Sequence, residues 1–211
     1  ILFLQMEITG TLILQMLDIG VLGIYILSLT MIFLYSLTQL NMLRFYLRRL
    51  KQEKNTPSLP RNLPKVTVQL PLYNEYYVVE RLLECIVALD YPQELLQIQV
   101  LDDSTDESLA LSQRLVKAYQ KKEIPIELIT RTDRVGFKAG ALKHGLSQAS
   151  GEYIAIFDAD FLPQTDWLLK TIPHFHNPKT GVVQTRWGHL NRNHSILTEV
   201  QAFALDAQFP S

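Results

Sequence analysis

Between residues 65 and 187 the apolar positions change period again and again, from runs that suit a strand to spacings that suit a helix. "KVTVQLPLY" (65–73) reads as a strand, and "EYYVVERLLECIVALD" (75–90) as a helix with Val78, Val79, Leu82, Leu83 and Ile86 on one face. "LQIQVLDDS" (96–104) is a second strand. Thr105 is expected to cap the next helix, whose early acids Asp106 and Glu107 suit a helix start and which runs to about Lys121. "IPIELIT" (124–130) is a third strand, and "FKAGALKHGLSQAS" a helix ended by Gly151. "EYIAIFDA" is a fourth strand, and its run Tyr153–Phe157 is apolar enough to expect burial on both faces. A helix over "TDWLLKTIPHFH", interrupted by Pro173, the strand "GVVQTRW" (181–187) and an apolar helical segment from near Ser195 complete the pattern. Strands alternating with helices predict an α/β fold with a mostly parallel, doubly wound sheet.

The N-terminal part follows another rule. No charged residue occurs from Ile19 to Leu43, and Arg44, Arg48, Arg49, Lys51 and Lys54 follow directly. A helix of that length crosses a hydrocarbon core of roughly 30 Å. The basic cluster predicts that everything after the span lies in the cytoplasm. A cleaved signal peptide fits poorly, because the run is too long and its charges come after it. The greasy stretch before Ile19 carries Glu7 and Asp18 and is either part of a longer helix or an amphipathic lead-in. The expected organisation is a membrane anchor over 1–50 with a span of about 19–43, a charged, proline-punctuated linker over 51–64, and a catalytic-type domain over 65–211. A start at Ile1 and an end at "AQFPS" in an apolar helical segment lead us to expect a piece of a longer protein.

The net charge of −1 gives no reason to expect nucleic acid as a partner. The single cysteine, Cys85, sits at an apolar helical position and reads as a small hydrophobe.

Chemistry concentrates at the strand ends: "PLYNE" after the first, "LDDST" after the second and "DAD" (158–160) after the fourth. The C-terminal edge of a parallel sheet is where ligands bind. A carboxylate after the second strand can accept from a base N–H or a ribose hydroxyl. Asp158 and Asp160 supply hard oxygen ligands for Mg²⁺ or Mn²⁺, which in turn bridges a diphosphate. Arg134 and Lys138 flank Gly136 at a helix start, a setting that favours phosphate oxygens. A dinucleotide site needs a glycine-rich turn after the first strand, and "PLYNEYY" has none. A haloacid-dehalogenase-type phosphatase carries Asp-x-Asp on its first strand, whereas three βα units come first here. His174 and His176 do not make a metal site, since residues two apart on a helix diverge.

Residues 65 to about 209 resemble family 2 glycosyltransferases of the cellulose-synthase-like branch, most closely the glucomannan-synthase-like and related bacterial enzymes. "VTVQLPLYNE", "IQVLDDSTD", "RVGFKAGALKHGL", "YIAIFDADFLP" and "VVQTRW", in that order and spacing, carry the resemblance. It implies a GT-A fold behind an N-terminal transmembrane helix, in a bacterial inner membrane. It also implies a metal-dependent, inverting transfer of a hexose from UDP-glucose or GDP-mannose to a glycan or lipid. Tyr73 and Glu75 would line the nucleoside pocket, and Asp103, with Asp102, would hold base or ribose. Lys138 would approach the diphosphate, Asp158 the nucleotide-sugar, and Asp160 would be the main metal ligand, while Gln184 and Trp187 would lie near donor sugar or acceptor. In this branch the general base is the Asp of a later "TED"-like motif, followed by "QxxRW". Neither lies within the 211 residues, since "QTRW" is one residue too short. A non-catalytic nucleotide-sugar-binding module is the alternative.

Overall fold

Four parallel strands form one sheet in the order β3-β2-β1-β4: β1 (Val66–Leu72), β2 (Leu96–Asp102), β3 (Ile126–Ile129) and β4 (Tyr153–Ile156). The computed structural model describes residues 2–50, 57–185, 188–189 and 191–208. These fall into two compact units, one of residues 56–185 and one of residues 1–55 with 186–211.

In the first unit the alternation of β1 puts Val66, Val68, Leu70 and Leu72 on one face of the sheet. There they share a core with Leu96, Ile98 and Val100 of β2, Leu82, Leu83 and Ile86 of α2 (Val79–Val87), and Leu111 and Val116 of α3 (Glu107–Gln120). Each such aliphatic side chain contributes about 1.5–3 kcal/mol by leaving water. Cys85 on α2 is half-buried. The cap of α3 is Asp106, whose side chain accepts from Ser108 N, not the expected Thr105.

The opposite face is largely polar, with a small apolar cluster of Leu101, Ile129 and Ala141. Gln69 donates to Gln99 at 3.0 Å, Gln99 and Gln97 both donate to Glu127, and Thr67 donates to Gln97. Satisfied in this way, the amides of Gln69 and Gln99 lie buried, and that of Gln97 half-buried, without an orphaned donor. Helix α4 (Phe137–Leu146) lies over this ladder at Gly145, where a Cβ would stand 2.7 Å from Leu101 and 2.8 Å from Gln69. The helix stops at Leu146, earlier than the expected Gly151.

β4 is shorter than read from the sequence and lies at the sheet edge among the described residues, with Ile156 48% exposed. Pro71 explains the early end. Phe157 N reaches Gln69 O at 3.2 Å, and the next rung towards β4 needs an N–H at position 71, which proline lacks. Asp158 is thereby released from the sheet. Downstream, α5 (Trp167–Thr171) passes at Pro173 into a 3-10 turn, Ile172–His176. Residues 181–185 form no strand, and Val182 is 83% exposed, because no neighbouring strand among the described residues offers them a ladder. Residues 51–56 of the expected linker lie outside the described residues.

In the second unit α1 (Leu2–Leu50) is one continuous helix, so the stretch before Ile19 is part of a longer helix. Its segment Gln15–Arg48 is long and apolar enough to cross a membrane, and none of its most apolar stretch is buried in the protein. Helix α6 (Ile196–Gln208) carries Asp206, which meets His189 at 3.2 Å.

Candidate active site

Register assembles the site. Leu72 pairs with Asp102, and Asp103 N donates to Leu72 O at 3.1 Å, so Tyr73 and Asp103 leave the sheet side by side. Asn74, at φ 57°, clamps the two strand ends. Its N–H donates to Ser104 Oγ at 2.8 Å, and its side-chain oxygen accepts from Thr105 N at 3.0 Å. The Glu75 carbonyl accepts from Val78 and Val79, starting the turn into α2.

The two adjacent acids have different surroundings. Asp102 is buried, and its Oδ1 accepts from Ser104 N at 2.8 Å. Asp103 pairs with Arg131, whose Nε donates to Oδ1 at 3.0 Å while a terminal nitrogen meets Oδ2. Both side chains are under a tenth exposed. The hydrogen bond to Asp103 raises the Arg131 pKa further, against the opposing effect of burial, so the guanidinium stays charged. Arg131 also donates to Val135 O at 3.0 Å and Phe137 O at 3.1 Å. The sequence reading missed Arg131. Extending the β2–β3 register two residues past Leu101↔Ile129 puts Arg131 opposite Asp103, and that was the available signal.

That staple folds the 131–137 loop back over the corner. Within it Gly136 takes φ 76° and Phe137 φ 47°, and the Arg134 guanidinium carbon lies 3.3 Å from the Tyr73 ring centroid. Lys138, one residue into α4, forms an ion pair with Asp158. The turn after β4 is closed by Phe161 N donating to Asp158 O at 3.1 Å, with exposed Asp160 between them.

The structure thus brings Tyr73, Asp103, Arg131 and Arg134 together at one corner, and Lys138, Asp158 and Asp160 at the end of β4. Gln184 is exposed in the irregular 181–185 segment, and no hydrogen bond links it to either group among the described residues. Trp187 lies outside the described residues. No group of three or more His, Cys, Asp or Glu side chains placed to hold a metal ion occurs among the described residues. An ion at the expected Asp158 and Asp160 would take at most two carboxylates from the described residues, a hard-oxygen pair of the kind that suits Mg²⁺ or Mn²⁺. A cavity of about 330 Å³ at the other end of the sheet, between Leu63, Glu152, Tyr153 and Phe175, lies away from these groups.

Residues 67–199 match the family model described as glycosyl transferase family 2. The probable glucomannan 4-beta-mannosyltransferase 4 of Oryza sativa subsp. japonica is 45% identical over 151 residues, 69% of this chain and 28% of that protein. Glucomannan 4-beta-mannosyltransferase 9 of Arabidopsis thaliana is 39% identical over 151 residues, with the same coverage of 69% and 28%. The chain thus spans a little over a quarter of the length of these relatives. Among solved structures, the mannosyltransferase PcManGT from Pyrobaculum calidifontis in complex with GDP-Man and Mn²⁺ superposes with a TM-score of 0.61 at 33% identity. The match covers 70% of this chain and 44% of that one. The sheet with its flanking helices is accordingly of the GT-A type expected from the sequence. With more than half of its residues inside the family model, this chain belongs to glycosyl transferase family 2.

Proposed function

We propose that this chain is the donor-binding part of a membrane-bound, inverting glycosyltransferase that takes a hexose from a nucleotide diphosphate sugar, of the GDP-mannose type, to a glycan or lipid acceptor. The observation carrying the proposal is the single sheet edge that holds both the Asp103–Arg131 pair beside Tyr73 and the Lys138–Asp158 pair beside Asp160. One group suits a nucleoside, the other a diphosphate with its cation. A solved relative at 33% identity holds GDP-Man and Mn²⁺, and the curated relatives are named mannosyltransferases, which supports mannose over glucose.

In this reading Asp103 accepts from the base or ribose, and Lys138 leaves Asp158 to meet the diphosphate oxygens. Asp158 and Asp160 would hold the Mg²⁺ or Mn²⁺, whose charge offsets that on the departing diphosphate. Residues 1–50 act as the anchor, 51–64 as the linker and 65–211 as the donor-binding half, on the cytoplasmic side by the basic cluster after the span. The curated relatives quoted above are plant proteins, which gives no support to a bacterial inner membrane, so the proposal extends to a membrane of unspecified type.

Calorimetric titration of the detergent-solubilised chain with GDP-mannose and with UDP-glucose, each with and without Mn²⁺, tests this. Binding that strengthens with Mn²⁺ is expected. No binding of GDP- or UDP-sugars in either condition overturns the proposal.

A further inference from the structure

Arg134 stands in an unexpected place. Its position beside Gly136 at a helix start suggests a phosphate contact, yet its guanidinium carbon lies 3.3 Å from the centre of the Tyr73 ring and 5.5 Å from that of Phe137. At 3.3 Å there is no room for an edge-on approach, so the guanidinium lies face to face with the ring and its N–H donors project along the ring plane. Tyr73 leaves the sheet beside Asp103, so those donors sit at the nucleoside corner. The neighbouring Arg131 is otherwise engaged, with donors on both Asp103 oxygens and on the carbonyls of Val135 and Phe137. Arg134 Nε, by contrast, is buried with no hydrogen-bond partner among the described residues. A buried donor without a partner is costly, and a ligand acceptor is one way to satisfy it.

We infer that Arg134 is the base-selecting residue of the donor site: its guanidinium donates to the O6 and N7 acceptors of a guanine. The inference rests on the nucleotide-sugar reading above. A planar fork of donors matches those two acceptors, the pairing by which arginine reads guanine elsewhere. Asp103 complements it. Each carboxylate oxygen bonded to Arg131 keeps a further lone pair, and two oxygens side by side suit the N1–H and N2–H of the same base. Uracil has one N–H between two carbonyls and no neighbouring pair of acceptors for Arg134. Tyr73 then acts as a positioning residue, because one face of its ring carries the guanidinium.

The test is calorimetric titration of the full chain with GDP, 7-deaza-GDP and UDP, repeated on Arg134→Met. The wild-type chain should bind GDP about tenfold more tightly than 7-deaza-GDP, the loss expected when a site built to donate finds no acceptor. Arg134→Met should abolish that difference and bring GDP affinity towards that of UDP. Equal binding of GDP and 7-deaza-GDP by the wild-type chain, which needs no variant to fold, overturns the inference. Equal weakening of GDP and UDP in Arg134→Met also overturns it, by placing Arg134 on the diphosphate. A preference for UDP sinks the inference while leaving the nucleotide-sugar reading intact. Failure to bind any of the three nucleotides sinks both.

Discussion

Lys138 Nζ rests on the Asp158 carboxylate across the C-terminal edge of the sheet, so a side chain holds the place where a divalent cation is proposed to bind. Both members are about half exposed, and such pairs contribute about 0.2–1 kcal/mol. Lys138→Met should therefore bind Mn²⁺ alone up to about fivefold more tightly, yet bind GDP-mannose less tightly, having lost a phosphate contact. Mn²⁺ titration followed by electron paramagnetic resonance checks the first half. Unchanged Mn²⁺ affinity would show that the lysine does not compete with the ion.

Asp160 and Asp103 should separate under mutation. Asp160 is exposed beyond β4, so Asp160→Asn should keep the melting temperature and lose the Mn²⁺ enhancement of donor binding. Asp103→Asn removes the charge facing buried Arg131. It should weaken nucleotide binding equally with and without Mn²⁺, and it should also lower the melting temperature. Calorimetry and thermal denaturation on the two variants provide the check, and identical metal dependence would contradict this division of roles.

Gly140→Ala should damage the loop that carries Arg134. A Cβ there would stand 2.0 Å from Val135 O, the same carbonyl that accepts from Arg131. Relieving the overlap should cost about 1–3 kcal/mol and weaken donor binding as Arg134 shifts. A variant that melts and binds like the wild-type chain would mean that the close approach relaxes freely.

The 211-residue chain should bind donor without transferring sugar. Transfer needs a free base within about 3 Å of the acceptor hydroxyl. At this edge Asp102 is buried, Asp103 and Asp158 are paired with cations, and Asp160 is proposed to bind the metal. Mn²⁺-dependent transfer by the purified chain, followed with radiolabelled GDP-mannose, would place the base among these residues. Asp158, released from Lys138, or half-buried Glu75 would then be the candidate base.

Orientation is open to chemical labelling. A cysteine introduced at Ser58, in a chain with Cys85 replaced by serine, should react with a membrane-impermeant maleimide only after the cells are permeabilised. Labelling from outside intact cells would reverse the proposed topology.

The strands β1 and β2 were legible because each obeys a two-residue period and ends in polar residues that match across the register. The apolar run Tyr153–Phe157 was harder to read. Its hydrophobicity suggested a fully buried strand, whereas its length is set by Pro71, a residue on a different strand. The segment 181–187 carries a strand-like pattern, but pattern supplies only one side of a ladder. The site shows the same division. The acids were visible as strand-end residues and Arg131 follows from the β2–β3 register, while the stacking of Arg134 depends on how the loop after β3 folds back, which no local spacing encodes.

The ladder of amides beneath α4 has a mechanical consequence. Gly145 lets the rear of that helix sink against Leu101, Gln69 and Gln99, and Gln69 reaches the Leu142 carbonyl at 3.5 Å. The front, from Phe137 to Lys138, lies exposed. The helix is thus clamped by the sheet at its rear and held at its front by Arg131 on the Phe137 carbonyl. What remains to move is the exposed Lys138 side chain, which can swing from carboxylate to ligand over a backbone that keeps its place. Amide hydrogen exchange in α4 should be slowest near Gly145, where the helix is packed on the amide ladder.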